Sequence, residues 1–240
     1  MPLSEVARSL RDMHVILVPG FWLDASAWDD VVPVLRAAGH TVDAVTRRGS
    51  TLDEQVADLV ARVDTAPEPV VLVGHSGAGP IAYMAADQRP DRVRHLVYAD
   101  TFPGPDGGCV NDELPVVDGQ VPLPPWDIWE AATLRGMTPE IRADVERRAV
   151  PEPARVTSDR FHYADPARHR IPATVITCEI APDELAGMVA DHQVWAAELV
   201  ATEELEIVGL HTGHWPMFTA PQELGALIVQ ALAPRPPDGV

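Results

Sequence analysis

The fold is decided by the stretch Val70-Val-Leu-Val-Gly-His-Ser-Gly-Ala-Gly-Pro-Ile-Ala-Tyr-Met84. Its first four residues are all apolar, which predicts a strand buried on both faces, as in a parallel sheet. A glycine-rich turn over residues 74–79 follows at once. Apolar spacing then resumes with Ile81 and Met84, which is typical of a helix packed against that sheet. The stretch therefore predicts a strand, an abrupt turn that carries Ser76, and a helix.

The turn departs by one residue from G-x-S-x-G, the pattern that exposes a nucleophilic serine between a strand and a helix. Gly74 matches the first glycine, whereas Ala78 occupies the position of the second. Such a turn needs small neighbours so that strand and helix can approach closely, and Gly77, Ala78 and Gly79 are all small. A phosphate-binding turn is the competing interpretation, but neither nucleotide-binding glycine pattern fits these residues. Ser76 is our leading candidate for a nucleophile.

Composition limits the partners of the chain. At 240 residues it suits a single domain spanning residues 1–240. Its net charge is −18, and all of its basic residues are arginine because the sequence contains no lysine. This acidity argues against nucleic acid and anionic membranes as partners and leaves a small-molecule substrate as our expectation. The composition leaves open whether the chain forms a homodimer.

Two further features bear on location and on metals. Cys109 and Cys178 lie far apart and form no C-x-x-C pair, so we expect neither a zinc site nor a disulfide framework, and no cofactor. The segment from Met1 to Met13 carries charged residues and lacks the apolar run of a secretory signal. No apolar run approaches membrane-spanning length. The expected location is therefore the cytoplasm.

Strand and helix patterns alternate on both sides of the Ser76 turn. Strands are predicted at residues 14–18, 41–45, 93–99, 173–178 and 204–208, with helices between them, which implies right-handed crossovers, a parallel sheet and helices on both of its faces. The alternation breaks over about 102–170, a proline-rich segment in which Thr138-Pro-Glu140 predicts a helix start. A disordered linker is the alternative, but Trp126 and Trp129 give this segment apolar surface to bury. We predict a lid whose two tryptophans line the route to Ser76.

A nucleophilic serine in a strand-to-helix turn, or elbow, requires a base to accept its proton. The sequence offers a histidine for this role. His214 follows the last predicted strand, in the loop that precedes the final helix, and this matches the order Ser…acid…His along the chain. His211 is its competitor but has no adjacent glycine to ease the backbone. We therefore expect His214 to accept the proton of Ser76.

Three segments together carry a family resemblance: Val15–Trp22, Gly74–Gly77 and Gly213–Pro216. On these residues the chain resembles the α/β-hydrolase superfamily, and it is similar to the compact plant esterase and hydroxynitrile-lyase branch. The resemblance implies an oxyanion hole formed by the backbone N–H groups of Phe21 and Gly77. Pro19 stands where many members have histidine, a change that leaves both donors intact. Trp22, beside Phe21, is expected to contact substrate.

The acid is the least decided member of the expected triad. The family usually places it after the strand that ends at Cys178, where Glu179 and Asp183 are available. Some members instead place it one strand earlier, and Asp100 follows that strand at the edge where α/β sites form. We rank Asp100 first, Asp183 second and Glu179 third.

These observations predict a serine hydrolase that cleaves an ester, lactone or thioester of a small apolar molecule through an acyl-enzyme. Epoxide opening and halide displacement in this superfamily need an aspartate in place of the elbow serine. Position 76 is a serine, which argues against both reactions. One alternative is a biosynthetic lyase or cyclase that uses the same serine and histidine as acid–base groups. The other is a hydrolase fold without catalytic activity that serves as a binding protein.

Overall fold

The structure is a computed structural model that describes residues 12–233. The interpretation of the Met1–Met13 segment lies almost wholly outside these residues. Eight strands occur in the described range: β1 His14–Val18, β2 Thr41–Ala44, β3 Val70–His75, β4 Val93–Ala99, β5 Gln120–Val121, β6 Glu152–Pro153, β7 Ala173–Thr177 and β8 Leu205–Gly209.

Six of the strands form one sheet in the order β2-β1-β3-β4-β7-β8. Every neighbouring pair in it is parallel, and β3 is buried along its whole length between β1 and β4. Alternate residues of a strand face opposite sides of the sheet, so Leu72 packs into one apolar core and Val71 into another. The predicted α/β class and parallel sheet are confirmed. The continuous apolar runs arise because both faces of each central strand are covered.

The helices cover the two faces. Their bounds are α1 Val32–Ala37, α2 Leu52–Thr65, α3 Ala78–Gln88, α4 Pro139–Arg148, α5 Ala154–Ser158, α6 Pro182–Ala190, α7 Ala197–Ala201, α8 Pro216–Thr219 and α9 Pro221–Ala231. Buried residues of α2 and α3 belong to the core that contains Leu72, and those of α1 and α9 belong to the other. Over residues 12–233, no helix combines the length and the apolar character required to cross a bilayer.

Two predicted helices are broken in the structure. The helix predicted between β1 and β2 divides into a 3-10 helix, Ala25–Trp28, and α1. Pro33 lies in the first turn of α1, where the missing N–H of proline costs no intrahelical bond. The helix predicted between β7 and β8 divides into α6 and α7, and His192, with a φ of 53° in the left-handed region, lies between the two.

The segment 102–170 is folded and packs onto the sheet domain. Its strands β5 and β6 form an antiparallel pair, and Thr138 caps α4 by accepting a hydrogen bond from the Ile141 N–H at 3.3 Å. Val121 and Phe161 are almost completely buried. The predicted helix start at Thr138 is confirmed, and the buried side chains make this segment part of the core rather than an open linker.

Candidate active site

Ser76 lies at the C-terminal end of β3, one residue before the N-cap of α3. Its φ of 50° places it in the left-handed region that non-glycine residues rarely adopt. Small neighbours make the turn possible: a Cβ atom on Gly74 would lie 2.7 Å from the Ala78 carbonyl oxygen. The backbone is held on its other side by Thr101, whose hydroxyl donates to the Ser76 carbonyl at 2.7 Å. The strained turn therefore projects the Ser76 hydroxyl beyond the edge of the sheet.

His214 joins Ser76 to Asp100. Its Nε2 lies 2.8 Å from Ser76 Oγ, and its Nδ1 lies 2.7 Å from Asp100 Oδ2. The three residues come from separate loops that follow β3, β8 and β4, because the carboxyl ends of parallel strands share one edge of the sheet. The structure thus brings together the serine, histidine and first-ranked aspartate chosen from the sequence.

The hydrogen-bond partners of Asp100 define the tautomer of His214. Besides His214, Asp100 accepts hydrogen bonds from the Cys178 N–H at 2.7 Å and the Glu179 N–H at 3.4 Å, both on Oδ1. Burial raises the pKa of Asp100, but its bonds to His214 and Cys178 outweigh this effect and lower the pKa below its ordinary value. An ionised carboxylate only accepts hydrogen bonds, so Nδ1 of His214 carries the proton and Nε2 is left to accept the proton of Ser76.

The other candidate residues occupy different positions. Glu179 is exposed, and its Oε2 lies 3.7 Å from His214 Nδ1, outside hydrogen-bonding distance. Asp183 is exposed in the first turn of α6, and His211 is exposed on a neighbouring cavity. Asp100, Glu179 and His214 are close enough together to hold a metal ion. However, Asp100 and His214 direct their nearest ligand atoms at each other, as a hydrogen-bonded pair does.

His75, immediately before Ser76, is a member of the site that sequence reasoning missed. It is almost completely buried, and its Nε2 lies 2.7 Å from the backbone carbonyl oxygen of His214. A carbonyl accepts, so Nε2 carries a proton and donates it to the loop that presents the base. Burial and the neighbouring His214 lower the pKa of His75 to about 3, so the ring is neutral at ordinary pH. The only sequence signal was its adjacency to Ser76.

Phe21 and Gly77, whose backbone N–H groups are expected to form an oxyanion hole, lie close together: a Cβ on Gly77 would lie 2.5 Å from Cε1 of Phe21. Among the described residues, no protein group accepts a hydrogen bond from the N–H of Phe21 or Gly77. The loop after β1 can approach Ser76 closely because Gly20 has no Cβ. A Cβ there would lie only 2.5 Å from His75 Nδ1 and 2.9 Å from Ser76 Cβ. The N–H of Trp22, in contrast, donates to Glu152 Oε1 at 3.2 Å. The N–H groups of Phe21 and Gly77 thus differ from that of Trp22 in having no acceptor within residues 12–233.

A cavity of about 440 Å³ lies over Ser76 and His214. It is lined mainly by apolar and aromatic side chains, among them Phe21, Trp22, Phe102, Val110, Leu114, Trp129, Phe161 and Trp195. Trp22 and Trp129 therefore contact the cavity, as the sequence analysis expected of substrate-binding residues. Trp126 does not line it: its indole packs edge-on against Trp215, with ring centroids 5.2 Å apart. Much of the wall comes instead from residues 102–114, which were not predicted from the sequence to line it.

The fold and this geometry define a class of protein: a parallel α/β sheet that carries a hydrogen-bonded serine, histidine and aspartate at its carboxyl edge, under an apolar cavity. Comparison with known families agrees with that class. The model of the alpha/beta hydrolase family matches residues 15–227, so the chain belongs to this family. The resemblance to the α/β-hydrolase superfamily and the fold class predicted from the sequence are thereby confirmed.

The similar proteins are mostly esterases. Methylesterase 8 of Arabidopsis thaliana is 31% identical over 109 residues, which cover 40% of this chain and 40% of that protein, less than half of either. Methylesterase 3 of the same plant is 26% identical over 262 aligned positions, covering 92% of this chain and 96% of that protein. The crystal structure of the Arabidopsis methylesterase MES16 superposes with a TM-score of 0.71, covers 92% of this chain and 98% of that one, and is 19% identical. This structural likeness concerns the fold alone.

Proposed function

We propose that the protein is a serine hydrolase that cleaves carboxylic esters of small, uncharged, largely apolar molecules through an acyl-enzyme. The observation that carries the proposal is the continuous hydrogen-bonded chain from Ser76 through His214 to Asp100 at the floor of the cavity. Membership of the α/β hydrolase family and similarity to plant methylesterases support it.

In the proposed reaction, His214 Nε2 takes the proton of Ser76 as Oγ attacks the carbonyl carbon of the ester. Asp100 stabilises the imidazolium that forms and keeps its Nδ1–H in place. The tetrahedral intermediate collapses as His214 gives the proton to the leaving alcohol. A water molecule, activated by the same histidine, then attacks the acyl-enzyme and releases the acid.

The developing negative charge requires donors that are already oriented. We assign this role to the amides of Phe21 and Gly77, and the assignment is supported by the fact that they donate to no protein group in residues 12–233. Gly77 precedes α3 as its N-cap residue, so the partial positive charge of the helix N-terminus acts on the same oxygen.

The lining of the cavity favours an uncharged substrate. Aromatic and aliphatic side chains dominate its wall, and no arginine of the described chain is among its lining residues. Since the sequence also lacks lysine, the lining has no arginine or lysine that would neutralise a carboxylate on the substrate. A lyase that stabilises an anionic leaving group through a cationic side chain is disfavoured for the same reason. Lactones and thioesters remain within the proposed class because they present the same carbonyl chemistry.

The test is covalent labelling combined with turnover. A fluorophosphonate probe should add one equivalent at Ser76, and p-nitrophenyl esters of short acyl chains should be hydrolysed. Ser76→Ala should remove the label, and both Ser76→Ala and His214→Ala should lower kcat/KM by several orders of magnitude, on the order of 10⁴ or more. His211→Ala is the matched control and should retain activity. Full turnover by a folded Ser76→Ala protein would refute the proposal.

A further inference from the structure

Arg47 is buried beneath the loop that carries Phe21. Only 5% of its side chain is exposed. A guanidinium has five N–H donors, and here each has an acceptor. Nε donates to the Pro19 carbonyl at 2.8 Å, Nη1 to Gln55 Oε1 at 2.7 Å and Glu152 Oε2 at 3.1 Å, and Nη2 to the Gly20 carbonyl at 2.9 Å and to Glu152 Oε1. Two of the five donors therefore hold backbone of the loop after β1.

One of those two carbonyls belongs to the peptide unit that supplies the expected oxyanion donor. The Gly20 carbonyl and the Phe21 N–H are the two ends of one planar trans peptide, so they point in opposite directions. A donor that holds the Gly20 oxygen on one side thus orients the Phe21 N–H toward the other. The positive charge of Arg47 also polarises this peptide and makes its N–H a stronger donor.

Glu152 attaches the same loop to the segment 102–170, called the inserted segment below. Its side chain is also 5% exposed, and its Oε1 accepts from the Trp22 N–H. The Trp22 carbonyl accepts from the Val150 N–H at 3.0 Å, and the Trp22 indole N–H donates to the Val121 carbonyl at 3.1 Å. Trp22, with a φ of 63°, is thereby held at three points by β5, β6 and the residues just before β6.

We propose that Arg47 and Glu152 form a positioning pair that sets the orientation of the Phe21 N–H for the oxyanion. The inference rests on the proposed function, because it assigns a reason for the pair within the same site. Neither side chain lines the cavity over Ser76, so the pair acts through the Gly20–Phe21 peptide and through Trp22. It couples the inserted segment to the chemistry of the reacting carbonyl.

Two variants test the pair. Arg47→Lys keeps the charge beside Glu152 but has three donors on one nitrogen, too few and too close together to hold both loop carbonyls and the carboxylate. The double variant Arg47→Met with Glu152→Gln leaves no unpaired buried charge, and the glutamine carbonyl still accepts from Trp22. Arg48→Lys, at the exposed neighbouring residue, is the matched control.

The measurements separate orientation of the donor from stability of the fold. Thermal unfolding identifies the variants that are folded, and kcat and KM are measured on a p-nitrophenyl ester. Inhibition is then compared for a trifluoromethyl ketone, which adds Ser76 Oγ and forms an oxyanion, and for the matching methyl ketone. We expect kcat to fall about 10- to 100-fold, less than the roughly 10²–10³ for complete removal of an oxyanion donor, with KM little changed. Affinity for the trifluoromethyl ketone should fall in parallel, and that for the methyl ketone should not.

The outcomes are distinct. A wild-type protein that neither turns over esters nor accepts the fluorophosphonate label would overturn the proposed function itself. With an active wild type, a folded Arg47→Lys protein with unchanged kcat would overturn the positioning role alone. Equal losses of affinity for both ketones would show a general loss of cavity shape and would also overturn it, as would failure of both variants to fold.

Discussion

Replacement of Asp100 by asparagine would reverse the tautomer of His214. The structure fixes how the new amide would lie, because Asp100 Oδ1 accepts from the Cys178 N–H at 2.7 Å. An asparagine keeps its carbonyl oxygen at that position, where the donor is. Its NH₂ group then faces His214 Nδ1 and donates to it. His214 must therefore carry its proton on Nε2, the atom that has to accept the proton of Ser76.

The expected loss follows from that reversal. The wrong tautomer blocks general-base catalysis without disturbing packing, and changes of this kind lower kcat on the order of 10⁴-fold. The stability of the fold should change far less, because asparagine is nearly isosteric and retains the bond to Cys178. The loss should therefore fall on kcat and not on the amount of folded protein.

Steady-state hydrolysis of a p-nitrophenyl ester by Asp100→Asn, with circular dichroism as a check on folding, measures this effect. Glu179→Gln and Asp183→Asn are the matched controls. Glu179 is exposed and its Oε2 is 3.7 Å from His214 Nδ1, so its removal should change kcat by only a few-fold. Asp183→Asn should have no effect. A larger loss in either control than in Asp100→Asn would refute the reasoning.

Two further predictions concern the tryptophans and His75. Trp129 lines the cavity and Trp126 does not, so Trp129→Ala should change KM or acyl-chain preference by about 10-fold, and Trp126→Ala should chiefly lower the melting temperature; equal kinetics across an ester panel would contradict this. Burial lowers the pKa of His75 in the folded protein to about 3, from an ordinary value of 6.5. Between these two pH values the unfolded chain binds a proton at His75 that the folded protein does not bind. The free energy of unfolding therefore falls as the pH falls, by up to about 1.4 kcal/mol per pH unit. Urea titrations of wild type and His75→Gln between pH 4.5 and 7 should show a shallower dependence in the variant; identical slopes would contradict this.

The sheet could be predicted because its central strands are short runs of apolar residues. Val70–Val73 and Val15–Val18 are buried on both faces, so their sequence needs no alternation, and each run is followed by a turn that contains glycine. Ser76, His214 and Asp100 could be selected because each follows a strand at the carboxyl edge. Ser76 and Asp100 lie close together because β3 and β4 are parallel neighbours, whereas the loop after β8 must reach across β7 to bring His214 to them. The catalytic roles of the three residues stay a proposal.

The wall of the cavity could not be predicted in the same way. Residues 102–114 contain no regular element, so no periodicity marks which side chains face Ser76. Large aromatic size directed attention to Trp126, but a tryptophan buries its surface equally well against Trp215. Arg47 and Glu152 were missed because they are 105 residues apart. A buried ion pair between such distant residues leaves no local pattern.

A strained backbone conformation is shared by three residues around the cavity. Trp22, Ser76 and Asp100 all have positive φ, at 63°, 50° and 50°, and each follows one of three adjacent strands, β1, β3 or β4. A non-glycine residue in this region costs on the order of 1–3 kcal/mol and persists only where its surroundings hold it.

The contacts that hold these residues are hydrogen bonds to residues distant in the sequence: Glu152 and Val150 for Trp22, Thr101 for Ser76, and Cys178 and Ile176 for Asp100. Local propensity alone disfavours all three conformations, although all three residues line the cavity in which we propose that the reaction takes place. The cost of these conformations is therefore met by contacts from other strands and from the inserted segment, which is why the parts of the site were visible in the sequence and their geometry was not.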